Sequence, residues 1–208
     1  MSRAIAWDAM DVMKRDPEDR TRTATQILDV AEQLVQTRGF NAFSYADVAA
    51  ELKITKAALH YHFATKAELG EALIARYAAR FADALSAVES RHATAPAQLE
   101  AYGNLYLTVL REKRMCLCGM LAAEFPTLPI PMQDAVVRFF NDNETWLTQV
   151  LTRGRDEGTL DFAGTPAEAA QMIVSGLEGA MLVARPLGDI GRFQAVADQL
   201  LAGLRRTG

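Results

Sequence analysis

The 208-residue chain has only two cysteines, three histidines and no long apolar run. Cys116 and Cys118 are two positions apart, too close for a disulfide that would staple distant segments, and so sparing a use of cysteine fits a reducing compartment. Two thiols and the isolated His92 are too few ligands for a closed zinc site, so no metal is expected. No segment approaches the roughly 20 apolar residues that a bilayer demands. The opening "MSRAIAWDAMDVMKRDPEDR" lacks the apolar centre of a secretion signal, so a cytoplasmic protein with no membrane role is expected. Runs rich in Val, Ile and Thr are absent, as are hairpin turn pairs, and the fold is read as all-α. Signatures of catalysis are missing too: there is no glycine-rich phosphate loop, no histidine–carboxylate spacing along one helix and no nucleophile elbow. Neither an enzyme nor a cofactor is expected.

Half of the residues are hydrophobic, enough for a substantial core. The net charge of −4 argues against nucleic acid until its distribution is considered. Residues 20–66 carry six basic against four acidic side chains, a net of +2, so the rest of the chain carries −6. A mildly basic head on an acidic body fits a small nucleic-acid-binding module. The expected organisation is a flexible arm over 1–20, a DNA-binding domain over 21–68 and a larger helical domain over 69–208, with about nine helices in all.

A first helix is expected over 22–38, with Ile27, Ala31 and Leu34 on one stripe and Gly39 as a left-handed cap. Ser44 opens a second helix, and Asp47 three residues on completes a capping-box pattern. A third helix is expected over 56–63, and a fourth runs from the Thr65/Glu68 box to about Ser90. Further helices are expected within 94–113, around 120–124, over 132–157, from Pro166 onward and over 191–205. Val48, Ala49 and Leu52 face Ile54, Leu59 and Phe63 across a tight turn, the packing pattern of a helix-turn-helix. With Leu59 and Phe63 inward, Lys56, Ala57, His60 and Tyr61 face out. Lys56 reaches a guanine edge or a phosphate, Ala57 lets the helix sink into the groove, and His60 and Tyr61 offer polar tips and apolar rings. Ser44 and Lys66, each at a helix start, are placed to hold phosphates. His62 either joins that face or turns toward the first helix.

The stretch "TRTATQILDVAEQLVQTRGFNAFSYADVAAELKITKAALHYHFATKAELGEAL" resembles the DNA-binding domain of the tetracycline-repressor (TetR) family of bacterial regulators. The resemblance rests on Arg38-Gly39-Phe40, the Ser44 cap, Asp47-Val48-Ala49, Tyr61-His62-Phe63 and Thr65-Lys66-Ala67-Glu68-Leu69. It implies an all-helical homodimer with a divergent ligand-binding domain, bound to double-stranded operator DNA and responsive to a small-molecule effector. Two positions depart from the family pattern. Lys53 stands where a turn glycine is usual, and His60 replaces a tyrosine that usually touches phosphate.

In the body, an apolar, aromatic- and sulfur-rich group (Tyr106, Cys116, Met120, Phe139, Trp146 and Met172) forms the candidate ligand pocket, although such stripes also make ordinary core. The "CLCGMLAAE" segment is similar to one in a TetR branch that includes sensors of reactive electrophiles, which nominates Cys116, with Cys118 beside it. Arg114 and the following helix start would lower the thiol's pKa; inert packing is the alternative. Small residues Ser175, Gly176, Gly179 and Ala180, with the stripe Phe193, Val196, Leu200 and Leu204, suggest an isologous four-helix dimer interface. The sequence thus describes a ligand-responsive DNA-binding regulator, most simply a homodimeric repressor released from a palindromic operator. A protein-binding adaptor with no DNA role is the alternative. The sequence leaves open the effector, and repression against activation.

Overall fold

The computed structural model describes residues 17–204, which form nine α-helices and one 3-10 turn. In chain order these are α1 (Pro17–Arg38), α2 (Tyr45–Leu52), α3 (Lys56–His62), α4 (Lys66–Arg91), α5 (Ala95–Arg111), α6 (Leu117–Ala123), a 3-10 turn (Phe125–Thr127), α7 (Ile130–Asp156), α8 (Pro166–Leu187) and α9 (Ile190–Ala202). The all-α expectation holds. Helix α1 begins at Pro17, so residues 17–20 belong to it and not to an arm; the remainder of the expected arm lies outside the described residues. Proline supplies a ready first helical position, because its missing N–H would have no partner there.

The starts follow side-chain chemistry. Thr55 Oγ1 accepts from the Ala58 N–H at 3.1 Å, and Thr65 Oγ1 accepts from the Glu68 N–H at 3.1 Å. At α8 the Thr165–Glu168 box closes both ways, at 3.2 and 2.7 Å. Gly39, Gly158 and Gly188 take left-handed φ values of 97°, 68° and 61° just past α1, α7 and α8, where a side chain would strain the cap.

Helices α1 to α3 make the head, and α4 carries its chain into the body formed by α5 to α9. The α1 stripe Ile27, Ala31 and Val35 is fully buried, and one apolar core continues from it through Leu69, Leu73 and Tyr77 of α4. Head and body are tied by polar contacts as well. Arg76 of α4 donates to Asp29 and to Glu32 of α1 at 2.8 and 2.9 Å, and Arg80 also bonds Glu32. Just before α6, the Met115 N–H donates to the Gln36 carbonyl at 3.1 Å. Just after α6, the Glu124 carboxylate accepts from the Phe40 and Asn41 N–H groups at 2.6 and 3.2 Å.

Candidate nucleic-acid interface and sensor interior

Helix α3 is held by one apolar side chain and shows its other side to solvent. Leu59 is completely buried and Phe63 half-buried, while Lys56, Ala57, His60 and Tyr61 are exposed, Tyr61 at 39 %. Phe63 also receives the head's internal brace, since Tyr45 Oη donates to its carbonyl at 2.9 Å. His60 packs its ring on Tyr45 with centroids 4.7 Å apart, and its Nδ1 lies 3.1 Å from the Ala64 carbonyl. That leaves Nε2 as its outward atom. Tyr61 stands under the Arg20 guanidinium, 5.0 Å from the ring centroid, which brings a cation from the start of α1 onto the same face. His62 is half-buried, with its ring edge-on to Tyr61.

Two residues assigned to phosphates are engaged elsewhere. Lys66 is half-buried, and its Nζ donates to the carbonyls of Phe40 and Phe43 at 2.6 and 2.5 Å while sitting over both rings. Burial lowers its pKa, partly offset by Glu124 and Asp47. The ammonium clasps the α1–α2 loop to α4 instead of standing free. The Ser44 hydroxyl and backbone N–H both donate to the Asp47 carboxylate, each at 2.7 Å, and hold that carboxyl below its usual range. A phosphate reaching Ser44 would have to displace this carboxylate. Lys53 builds the helix-turn-helix turn without glycine by adopting φ 54°, ψ 39°.

In the body, Tyr106, Cys116, Cys118 and Phe139 are all buried in the apolar core. Tyr106 and Tyr102 share a hydrogen bond at 3.1 Å, and Tyr102 donates to Asn143 at 3.3 Å. Trp146 stacks on Tyr102 at 5.6 Å but points its Nε1 outward to Glu89, at 2.8 Å. Met120 is half-buried against Arg185, whose guanidinium also bonds the Thr37 carbonyl of α1. Met172 belongs elsewhere: it is 47 % exposed on the outer side of α8. The thiols also differ from expectation. Arg114 is committed to Gln36 and Glu112, and burial, followed by the charge of Glu178, pushes both cysteines well above the usual thiol range. Neither is poised as a thiolate.

Glu178 is the group that sequence reasoning missed. It lies on the same face of α8 as Val174 and Met181, so a charge on an apolar stripe was the available signal. One carboxylate oxygen abuts Gly119 so closely that a Cβ there would come within 2.2 Å of it. The other, Oε1, is buried without a partner. Burial raises the carboxyl to about 7, and the neighbouring Cys116 thiol is the group that counters this.

The outer face of α8 and α9 exposes Met172, Leu182, Val183, Leu187, Ile190 and Val196. Ser175 and Gly179 lie on it, and Gly179 has open space where a Cβ would be. Ala180, Phe193 and Leu204, expected at a dimer interface, are buried within the chain. A Cβ on Gly176 would come within 2.6 Å of the half-buried Leu200, so that glycine serves close packing of α8 on α9.

Residues 27–73 match the family described as bacterial regulatory proteins, tetR family, and residues 95–200 match a tetracyclin repressor-like C-terminal domain. A TetR-family transcriptional regulator from Agrobacterium tumefaciens is 31 % identical, with a TM-score of 0.87 over 90 % of this chain and 100 % of that one. A TetR regulator from Legionella pneumophila, also 31 % identical, superposes with a TM-score of 0.79 over 92 % of this chain and 98 % of its own. The Escherichia coli transcriptional repressor NemR is 26 % identical over 177 residues, 83 % of this chain and 88 % of NemR. The chain belongs to the tetR family of bacterial regulatory proteins, and it is a DNA-binding transcriptional regulator.

Proposed function

We propose that the protein is a homodimeric repressor that leaves a roughly palindromic operator when a small molecule occupies its body. The observation that carries this reading is the polarity of α3: Leu59 is sealed inward while Lys56, His60 and Tyr61 stand in solvent with Arg20 above Tyr61. A helix anchored this way can lie in a major groove with small Ala57 at the closest approach. The adaptor alternative gives that basic, aromatic face no purpose. Two such helices reach successive major grooves when two chains pair through the apolar outer faces of α8 and α9, with Gly179 admitting the partner backbone. Effector and DNA then oppose each other through a coupling free energy between body and head. Of the two effector classes, a non-covalent ligand is favoured over a reactive electrophile, because both thiols are buried and held protonated.

The test is binding to duplex DNA followed across a salt titration. Wild-type protein should show a steep negative slope of log affinity against log salt, and Lys56→Ala should flatten that slope by about one unit. A slope near zero, or one that Lys56→Ala leaves unchanged, refutes the assignment of this face.

A further inference from the structure

Glu178 is half-buried as a residue, yet its Oε1 is closed off from solvent and has no partner. The carboxyl has a hydrogen bond from the Cys116 thiol, but a buried carboxylate oxygen without a donor of its own is normally paired, hydrated or neutralised. The ionisable groups bearing on it come from three helices or their edges: Tyr77 of α4, Tyr102 and Tyr106 of α5, and Cys116 and Cys118 at the start of α6. All five are uncharged when protonated. Helix α7 contributes Asn143, through Tyr102. Among the described residues no arginine or lysine, from α7, α9 or elsewhere, is among the groups that set its protonation. The tyrosines that bear on Glu178 are themselves packed on other rings: Tyr77 meets Phe139 at 5.6 Å between centroids, and Phe81 meets Tyr102 and Tyr106 each at 6.1 Å.

Resting on the ligand-responsive reading above, we propose that Glu178 is the recognition point for effectors that carry a protonated amine on an aromatic or apolar body. The ammonium donates to the free Oε1, and the body lies among the rings of Tyr77, Tyr102 and Tyr106, whose faces attract cations. A carboxylate ligand would meet Glu178's own charge in a desolvated site, so anions are rejected. The occupied site also has a mechanical outlet. Gly119 is pressed against the second oxygen of Glu178, and at the other end of the same short helix Glu124 holds the Phe40 and Asn41 N–H groups of the head. A ligand that shifts the Glu178 carboxylate therefore pushes on α6, which is hydrogen-bonded to the α1–α2 loop.

Because burial lifts this carboxyl to about 7, an amine must compete with a proton below that pH. Its binding strengthens as pH rises toward 7 and levels off above it, and it expels a proton in the lower range.

Three isosteric probes separate the possibilities by calorimetry on the full chain: 1-naphthylmethylamine, 1-naphthylmethanol and 1-naphthoate. At pH 8 the amine should bind at least tenfold more tightly than the alcohol, and the naphthoate weakest. The amine's advantage should shrink at pH 5.5. Glu178→Gln should abolish it at both pH values while leaving alcohol binding within about twofold. On wild-type protein alone, titrations at pH 6.5 in two buffers of different ionisation enthalpy should show proton release with the amine and none with the alcohol. Equal affinity for amine and alcohol, an advantage that survives Glu178→Gln, no proton release, or no binding of any probe overturns the proposal. Duplex binding measured on the same preparation distinguishes the failures. If DNA still binds, only the Glu178 assignment falls; if it does not, the regulator reading falls first.

Discussion

Lys53 pays a conformational penalty that a glycine would avoid. Its φ of 54° places an L side chain in the left-handed region to close α2, which costs about 1 kcal/mol relative to glycine. Lys53→Gly is therefore expected to stabilise the head by up to about 1 kcal/mol, read as a higher urea midpoint with an unchanged slope; a lower midpoint would contradict the strain. Glu178 gives a second signature. Its carboxyl titrates near 7 in the fold and near 4.5 when unfolded, so between those values the native state holds the proton more firmly than the unfolded chain. The contribution of this one carboxyl to stability is greatest at the acid end and falls by roughly 3 kcal/mol as pH rises from 4.5 to 7, then levels. Glu178→Gln should remove that decline, so that its stability relative to wild type improves between pH 5 and 8. A constant difference would place the carboxyl in solvent. At this scale the sequence was a good guide where a residue's place follows from helical period, as with Leu59 inward and Tyr61 outward. It was silent where partners come from far along the chain. Nothing near Lys66 announces that the Phe40 and Phe43 carbonyls will claim its ammonium, and nothing near position 178 announces Gly119.

Among the elements, the caps were legible and the couplings were not. Thr65, Thr165 and Gly39 mark helix ends by local chemistry, and the helices obey them. Helix α6 starts three residues earlier than the sequence suggests, and the sequence offers a role only for its cysteines and Met120. Its function in the fold comes from what flanks it: Met115 and Arg114 reach Gln36 on one side, and Glu124 reaches the α1–α2 loop on the other. Charge-assisted bonds of this kind contribute about 1.5–3 kcal/mol each. Glu124→Gln keeps the shape while weakening both bonds. The expected result is faster hydrogen exchange at Phe40 and Asn41 and a DNA affinity less sensitive to any effector, with the helix content unchanged. Unaltered exchange at those two amides would show that α6 does not brace the head.

For the whole molecule, the outer surface of α8 and α9 is the feature that a single chain does not explain. Met172, Leu182, Val183, Leu187, Ile190 and Val196 put large apolar side chains of two consecutive helices in water, the kind of surface that marks an interaction site. Of the residues expected at a dimer interface, Ala180, Phe193 and Leu204 share the period of the outer residues yet pack inward within the chain, which the helical period alone does not distinguish. Leu182 is 61 % exposed, so Leu182→Glu should leave the fold intact, turn a dimer into a monomer by analytical ultracentrifugation, and weaken duplex binding by at least tenfold. A variant that still sediments as a dimer would move the interface elsewhere.

In the proposed dimer, α3 reads DNA twice, from its Lys56–Ala57–His60–Tyr61 face. Selection of bound duplexes from a random-sequence library tests it most directly. The enriched sites should contain an inverted repeat with half-sites about one helical turn apart, and Lys56→Ala combined with Tyr61→Ala should abolish the enrichment without unfolding the protein. Recovery of sites with no repeat, or an enrichment that survives loss of both side chains, would contradict it.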